Sequence, residues 1–549
     1  MRKLVVYIFL LSHFCISVHA QSSTAIDTLL ELPAVELKAT TIRQTSVGER
    51  QEAWTSTQLQ PYSGQHLADL LATETGAFIK SYGNGALATI SLRGSGASHT
   101  AVLWNGLPIQ SPMLGQLDLA LLPLGMLDAV SLQLGNNSAG WGSGAIGGVL
   151  NLENKWRKKN PWELGVQTLV GSFGQQQIQL QARLNAAKWG MSTRLLQQQA
   201  DNDFNYIIRA DLPMRTQTNA ALSQRSLLQE FFYQPTPNQQ FGIKLWTSQS
   251  AREIPPTTTQ NRSEAEQTDN FLRTMLDWKW VQQNAVWRAK MGWFVEQMHY
   301  LDPLAGVDSQ NDFQVWTSEA SITLKWPTLP TSAWKHRIEV GFNHTYFAAE
   351  ADAYKQVRQQ RRTALFVHIR QQWQDWRWQF NIRQELQDGR LVPVVPSLGL
   401  ERHFTKHAVK LKIGRSYRLP TFNDLYWIPG GNPDLLPEDG WSQELTWERL
   451  LADSWQYSTT VYNREITNWI RWALPEDGGF FRPQNIAQVW SRGVEQRLGW
   501  RKQWSNWGLA IKGGYDLTYS TNQVAIKNPE IEAGDQLVYV PRHSGFAQV

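Results

Sequence analysis

Cysteine is almost absent from this 549-residue chain, in which Cys15 is the single thiol. Cys15 lies in an N-terminal segment that we predict to be removed, so the mature chain is predicted to contain no disulfide and no cysteine metal site. The eleven histidines are scattered, and none has the spacing of metal ligands. We therefore predict no metal site and no cofactor, and a metal cargo would have to arrive inside a chelate.

Long apolar runs are also missing. No stretch reaches the roughly 20 apolar residues with which a helix spans a bilayer. The first twenty residues have two basic residues, a short apolar core at residues 4–11 and the sequence Val18-His19-Ala20, which fits a signal-peptidase site. Residues 1–20 are thus predicted to be a signal peptide, and a secreted chain that enters a membrane further on would have to form a β-barrel.

The chain also has no large excess of positive or negative charge. The formal net charge is +5, and without the signal peptide 50 basic residues face 47 acidic ones, a balance of +3. Such a balance predicts no nucleic-acid partner. Tryptophan, in contrast, is abundant with 27 residues. Aromatic residues at a membrane interface explain this excess better than a soluble core does.

Residues 21–50 are polar and lack periodicity, which predicts a flexible arm. Within this arm residues 32–40, LPAVELKAT, alternate briefly between apolar and polar side chains. Such a stretch could add as an extended strand to the edge of a partner's sheet. It could equally be one short strand of the domain that follows.

Residues 76–155 are short apolar runs separated by glycine-rich turns, which predicts a compact α/β unit. A helix is predicted over residues 66–71, ending at Gly76. Asn105-Gly106 between apolar runs predicts a hairpin, because a type I′ turn needs positive φ at both central residues. Strands are predicted near residues 78–80, 89–92, 101–104, 130–134 and 148–152.

Residues 142–147, GSGAIG, fit the G-x-G-x-x-G pattern of dinucleotide-binding proteins. That site requires the glycines to open a helix, with an acidic residue about 20 positions later. Here Val149-Leu150-Asn151-Leu152-Glu153 continues as a strand pattern, and about 20 residues further on the sequence reads Gly165-Val166-Gln167-Thr168. The motif is therefore predicted to form turns and to bind no nucleotide.

Beyond Trp156 apolar and polar residues alternate with a period of two, for example at residues 409–413 and 509–519. A soluble β-sandwich would alternate in the same way. A membrane barrel is favoured because one face is repeatedly charged, polar loops differ greatly in length, and aromatic residues lie near strand ends. These aromatic residues include Trp469, Trp472, Trp500 and Tyr519.

Several motifs occur together in a fixed order. They read GAF at residues 76–78, ISLRG at 90–94, VLWNGLPI at 102–109 and GWGSGAIGGVLNL at 140–152. In this order and spacing the stretch resembles the plug domain of TonB-dependent outer-membrane receptors. Later motifs, including LPTFNDLYW at residues 419–427 and SRGVE at 491–495, resemble landmarks of the same family's barrel.

The resemblance implies a mainly β fold, in which a transmembrane antiparallel barrel of the 22-stranded type holds an N-terminal α/β plug in its lumen. The implied domains are an arm at residues 21–50, a plug at 51–155 and a barrel at 156–549. The final residues resemble a strand beginning rather than a barrel terminus, so three or four strands are expected to be missing and the barrel to be unclosed.

The resemblance also implies a function: a monomeric receptor in the Gram-negative outer membrane, in contact with its lipid, that imports a scarce chelate or corrinoid ligand with energy from TonB. The candidates are cobalamin, slightly favoured, and ferric siderophores; a barrel enzyme and a passive porin are the alternatives. The implied TonB box comprises Ala34, Val35, Glu36, Leu37, Lys38, Ala39 and Thr40. The implied ligand contacts on the plug's upper turns are Tyr82, Asn84, Ser95, His99, Gln110 and Gln116.

An electrostatic lock between plug and barrel is implied as well. Arg93 matches the family's plug arginine, and the pattern offers Glu438 or Glu444 as its partner. Where relatives carry a glutamate and an arginine, this chain has Ser131 and Leu134. Part of the lock is therefore expected to be missing.

Overall fold

The computed structural model describes most of the chain. The described residues are 47–549 without 84, 159, 326–333, 453, 476–477, 506 and 528–529. The predicted signal peptide, the predicted TonB box at residues 34–40 and the candidate ligand contact Asn84 lie outside the described residues. In the described residues, no helix is long and apolar enough to cross a membrane.

The first part of the described chain forms a small mixed sheet with the strand order β1-β6-β7-β4-β5. β4 and β7 run parallel, and the other neighbours are antiparallel. β2 and β3 form a separate hairpin. The strands are β1 (Gln51–Thr55), β2 (Phe78–Ser81), β3 (Ala88–Ser91), β4 (Thr100–Trp104), β5 (Leu107–Pro108), β6 (Ala129–Leu134) and β7 (Gly148–Glu153).

The helix Leu67–Glu74 packs against the β2–β3 hairpin with Leu67, Leu70 and Leu71 buried. Its N-terminus is set by His66, whose backbone N–H donates to the Asp69 carboxylate at 3.0 Å, so the helix begins one residue later than predicted. Further short helices span Ser56–Leu59, Ser138–Trp141 and Phe422–Tyr426, and 3₁₀ turns span Gln60–Tyr62, Ala97–His99, Leu119–Leu121 and Leu124–Met126.

Two glycine-containing turns have the predicted conformation. Asn105 and Gly106 adopt φ of 49° and 88° between β4 and β5, as a type I′ turn requires. In the G-x-G-x-x-G stretch Gly142 and Gly144 have positive φ, and the chain then enters β7. The prediction of turns without a nucleotide-binding helix is confirmed.

The rest of the chain forms an antiparallel β-barrel. A small hairpin of β11 (Asn205–Tyr206) and β12 (Arg215–Thr216) lies in one of its loops. The barrel strands are β8 (Trp162–Val170), β9 (Gln176–Asn185), β10 (Trp189–Ala200), β13 (Leu222–Thr236), β14 (Gln239–Ile254), β15 (Ala265–Val281), β16 (Ala285–Asp302), β17 (Val307–Lys325), β18 (Trp334–Ala351), β19 (Arg358–Trp373), β20 (Trp376–Gln387), β21 (Arg390–Leu391), β22 (Val395–His403), β23 (His407–Arg418), β24 (Glu438–Ala452), β25 (Trp455–Ala473), β26 (Arg482–Gln503), β27 (Gly508–Asn522) and β28 (His543–Gln548).

The strand order of the described residues closes with β28 beside β8, so the expectation of an unclosed barrel is wrong. The expectation that a few strands of the 22-stranded type are missing agrees with the strand count. The described residues contribute 19 strands to this order, including the two-residue β21. A ring of fewer strands can close because strand tilt and stagger adjust to strand number. Most side chains of β8 are exposed on both faces.

The two ends of the barrel differ. One end has short turns, such as residues 237–238 and 374–375, and the other has long loops, such as residues 201–221 and 419–437. Short turns face the periplasm in outer-membrane barrels, and long loops face the outside. Exposed aromatic side chains mark the end with short turns: Trp162, Trp189, Tyr233, Phe241, Trp287, Trp334, Trp373, Trp455 and Trp507. This girdle agrees with the interfacial role predicted for the tryptophan excess.

Candidate functional site

The small sheet meets the barrel wall through an apolar contact on one side. Trp104 of β4 is fully buried, with its ring 5.6 Å from Trp246 of β14 and 6.4 Å from Phe294 of β16, measured between centroids. These residues belong to a buried cluster that also contains Leu70 and Leu107 of the small domain. A contact of this kind gains its stability from the area removed from water and has no fixed direction.

On the opposite side, buried ion pairs hold the small domain. Arg93 follows β3, and its guanidinium donates to both carboxylate oxygens of Glu495 on β26, at 2.8 and 2.9 Å. Its third nitrogen donates to Glu444 on β24. Burial alone would lower the pKa of Arg93, but the carboxylates of Glu495 and Glu444 raise that pKa well above its ordinary value. Arg93 therefore stays charged between two barrel strands.

A second arginine completes this cluster. Arg50 immediately precedes β1, donates to Glu495 at 2.9 Å and also pairs with Glu52. Its carbonyl oxygen accepts a hydrogen bond from the backbone N–H of Leu134. Arg50 thus brings a cation beside Leu134, one of the two positions at which charge was expected to be missing. The sequence analysis missed Arg50 because its position depends on the pairing of β1 with β6.

Glu438 belongs to a separate cluster and does not pair with Arg93. Arg418 at the end of β23 donates to both Glu438 oxygens at 2.8 Å. His99 of the small domain contacts the same carboxylate through Nε2, while its Nδ1 accepts the backbone N–H of Gly96 at 3.0 Å. Both ring nitrogens are therefore satisfied when His99 is neutral, with its proton on Nε2.

We expect this geometry to make plug stability depend on pH. Burial lowers the pKa of His99, with Glu438 opposing and Arg418 and Arg464 adding to that shift. Unfolded histidine has a pKa of about 6.5. Below that pH the unfolded plug binds more protons than the folded plug, so the free energy of unfolding falls by about 1 kcal/mol by pH 5.5. The urea midpoint of plug unfolding at pH 7.5 and 5.5 measures this loss.

The matched variant is His99→Gln, which cannot titrate. We expect the wild type to lose more stability than His99→Gln between the two pH values, since other titrating groups are common to both proteins. Equal losses would contradict the role assigned to His99.

The candidate ligand contacts on the upper turns differ in exposure. Ser95 and His99 are buried, and Ser95 donates to the Leu92 carbonyl oxygen at 2.8 Å. Gln110 is half-buried and donates to the carbonyl oxygens of Thr100 and Gly115. Gln116 is half-buried, whereas Tyr82 is 58% exposed. Tyr82 and Gln116 are thus the candidates that a ligand from outside could reach without rearrangement.

An exposed aromatic pair surrounds a lysine near these turns. Lys80 Nζ lies 3.7 Å from the ring centroid of Tyr539 and 5.0 Å from that of Tyr82. Tyr539, in the loop between β27 and β28, is 61% exposed. A flat or anionic ligand could stack on the rings and pair with the ammonium group. The sequence analysis missed Lys80 and Tyr539, because only the fold brings this loop to the plug.

The loop at residues 419–437 fastens another upper turn of the small domain. The backbone N–H groups of Phe422 and Asn423 donate to the carbonyl oxygens of Pro112 and Met113, at 3.0 and 3.2 Å. Thr421 caps this short helix, and its N–H donates to Asp424. An outer loop and a plug turn are therefore directly coupled through backbone hydrogen bonds. The described residues contain no group of three or more side chains that could hold a metal ion.

Solved structures share this architecture. The siderophore receptor PirA from Acinetobacter baumannii aligns with a TM-score of 0.73 at 14% identity, covering 92% of this chain and 83% of that chain. The copper transporter OprC aligns with a TM-score of 0.69 at 14% identity, covering 87% of this chain and 80% of that one. At such identities the likeness shows the fold alone, and the two named cargoes already differ.

Curated relatives are more similar in sequence. The vitamin B12 transporter BtuB of Photobacterium profundum is 23% identical over 471 residues, which cover 81% of this chain and 72% of that protein. The vitamin B12 transporter BtuB of Vibrio vulnificus is 39% identical over 82 residues, or 15% of this chain and 13% of that protein.

Two family models match the chain directly. The TonB-dependent receptor plug domain matches residues 43–149, and the TonB-dependent receptor-like β-barrel matches residues 130–548. The second match alone covers more than half of the chain. The family consists of outer-membrane receptors and transporters of Gram-negative bacteria and not of enzymes. The chain belongs to the TonB-dependent receptor family, with its plug seated in the lumen of its barrel.

Proposed function

We propose that this protein is an outer-membrane receptor that binds a scarce ligand, cobalamin or a ferric siderophore, and imports it with energy transmitted by TonB. The observation that carries the proposal is a plug held in the lumen by replaceable contacts. Its ion pairs to Glu444, Glu495 and Glu438, and its backbone hydrogen bonds to residues 422–423, can all be broken and re-formed. A passive porin would have no use for such a domain.

The ligand's first contacts are proposed to be the exposed side chains of the upper turns. Tyr82 and Tyr539 offer ring faces, Lys80 offers a positive charge, and Gln116 offers an amide. This set suits a large planar or anionic chelate. Cobalamin remains a candidate because the BtuB relatives transport vitamin B12. Iron chelates remain candidates because the aligned receptors include siderophore receptors.

We also propose a role for each part of the chain. Residues 51–155 act as the plug, residues 156–549 form the barrel, and residues 34–40 are the segment that TonB pairs with. Strand addition uses the backbone of that segment, so it tolerates varied side chains. The plug lock is the Arg93 cluster with Glu444, joined by Arg50 and Glu495, and Glu438 holds His99 in the second cluster.

Uptake from a single source tests the function. A host without its own receptors, expressing this protein, is supplied with either radiolabelled cyanocobalamin or a radiolabelled ferric tris-catecholate complex. We expect one of the two to accumulate in the periplasm, and accumulation to stop when the proton-motive force is dissipated. Accumulation that survives dissipation would refute energised transport, and uptake of neither compound would refute the proposed ligands.

A further inference from the structure

One arginine at the outer mouth of the barrel has no ion-pair partner among the described residues. Arg358 is the first residue of β19, and the other end of β19 adjoins the short turn at residues 374–375. Arg358 therefore lies at the end that has the long loops. It shares a face of the strand with the buried residues Gln360 and Ala364, whereas Leu365 is exposed on the other face. Because side chains alternate between the two faces of a strand, Arg358 faces the lumen.

The guanidinium group of Arg358 lies on an aromatic ring. Its Cζ atom is 4.4 Å from the ring centroid of Tyr426. Tyr426 ends the short helix Phe422–Tyr426, and its side chain packs against the buried apolar cluster that plug and barrel share. The face of a tyrosine ring attracts a guanidinium electrostatically. This contact fixes the position of the charge and leaves its N–H donors available.

The donors of Arg358 have no acceptor in the part of the chain that the structure describes. The Nε–H group is buried without a hydrogen-bond partner, and neither Nη atom donates to a described residue. Arg252, another arginine of the lumen, pairs with both Asp118 and Asp269. A guanidinium offers five N–H donors in a planar fork. A half-buried arginine whose fork is unused can therefore accept a ligand without first breaking an ion pair.

Two carboxylates of the neighbouring loops already have donors of their own. Asp424, which belongs to the same short helix as Tyr426, accepts Trp472 Nε1–H at 3.0 Å, and Arg418 donates to it at 3.4 Å. Asp352, in the loop before β19, accepts the backbone N–H of Gln310 at 2.7 Å. Neither carboxylate forms an ion pair with the arginine on the ring.

The short helix that carries Tyr426 also contacts the plug. The hydrogen bonds from residues 422–423 to the carbonyl oxygens of Pro112 and Met113 fasten this helix to a plug turn. The same turn carries Leu114, which is 46% exposed, and the half-buried Gln116. A group bound on the Tyr426 ring would therefore adjoin the turn that contains the candidate ligand contact Gln116.

We propose that Arg358 and Tyr426 form a subsite for a pair of anionic oxygens of the cargo, such as the catecholate or carboxylate groups of an iron chelate. This inference rests on the proposed function and narrows its cargo to anionic chelates. The guanidinium fork donates two parallel N–H···O bonds to such a pair, and charged partners make these bonds strong. Lys80, on the rings of Tyr82 and Tyr539, is a second cation held by tyrosine at the upper turns.

Binding of a charged and a neutral probe to the purified receptor tests the subsite. Arg358→Gln removes the cation, and Arg361→Gln removes the same charge from the exposed outer face of the same strand. A ferric tris-catecholate complex carries three negative charges, and cyanocobalamin is neutral. We expect Arg358→Gln to bind the ferric complex about tenfold more weakly than the wild type, and Arg361→Gln to bind it equally well. Added salt should weaken this binding less in Arg358→Gln than in the wild type.

Equal affinities of Arg358→Gln and Arg361→Gln for the ferric complex would overturn the proposal. So would a wild type that binds only cyanocobalamin. If the wild type binds neither probe, the proposed function fails for these ligands, and a chemical measurement on the purified protein decides the subsite separately.

That measurement uses the predicted absence of cysteine from the mature chain. Tyr426→Cys places one thiol beside the guanidinium that contacts the Tyr426 ring. The rates of its reaction with an anionic and with a cationic methanethiosulfonate are compared. We expect the ratio of the anionic to the cationic rate to fall about threefold or more when Arg358→Gln is added, and to stay the same when Arg361→Gln is added. An unchanged ratio in Tyr426→Cys/Arg358→Gln would overturn the proposal.

Discussion

Deletion of residues 34–40 is expected to abolish import while ligand still binds at the cell surface. The reason is that a force applied to the arm reaches the first residues of the plug. The described chain begins at residues 47–50, where Gly48 donates to Glu401, Glu49 pairs with Lys412 and Arg50 pairs with Glu495. β1 follows as the edge strand of the plug sheet, paired with β6. A partner strand held by the arm would pull on this edge and on the Arg50 contact with Glu495. Without the segment that we propose TonB pairs with, this pull could not be applied.

Two controls separate this role from a general effect of shortening the arm. Deletion of residues 22–28 removes the same number of residues and should leave import intact. Val35→Pro should reduce import strongly because proline removes a backbone donor, whereas Leu37→Ala should reduce it little. Radiolabelled ligand on intact cells gives binding, and ligand in the periplasm gives import. Import that persists in the 34–40 deletion would overturn the energised mechanism.

Local sequence signals were sufficient to predict most of the secondary structure of the plug. The five strands predicted from apolar runs match β2, β3, β4, β6 and β7 within a residue or two. The reason is that short strands between glycine-rich turns are specified by neighbours in the sequence: Asn105 and Gly106 determine their own turn by tolerating positive φ. The period-two alternation predicted a barrel only together with the charged face, the unequal loops and the aromatic residues near strand ends.

Contacts between distant strands could not be predicted in this way. Arg93 and Glu495 are 402 residues apart, and only the closed barrel brings β26 to the plug. Arg50 depends on the pairing of β1 with β6.

Two of the ligand contacts that the family resemblance implies are not exposed. Ser95 and His99 lie in a glycine-containing turn, and both are buried. The 3₁₀ turn Ala97–His99 packs against the barrel wall, where Glu438 and the ring of Trp469 enclose His99. A turn inside a barrel lumen can face either the barrel wall or solvent. The sequence of the turn does not show which of the two it faces.

Replacement of Arg93 by alanine is expected to cause the largest loss of plug stability. Glu444 would lose its ion pair and remain buried, and Glu495 would keep its ion pair with Arg50. Removing one partner of a buried ion pair typically costs about 3 to 5 kcal/mol, because an uncompensated charge is left out of water. The urea midpoint of plug unfolding measures the loss, and Arg215→Ala on the exposed strand β12 is the matched control.

Two further variants distinguish charge from geometry. Arg93→Lys retains the charge but cannot donate to both oxygens of Glu495 in the planar arrangement of a guanidinium, so its stability should be intermediate. Arg93→Ala/Glu444→Gln removes the orphaned charge and should be more stable than Arg93→Ala alone. If the double variant were no more stable than the single one, buried charge would not be the cause. A plug that a modest force must release is better held by such an ion pair than by apolar contact alone. The ion pair stabilises one position of the plug, and a short displacement of the plug breaks it.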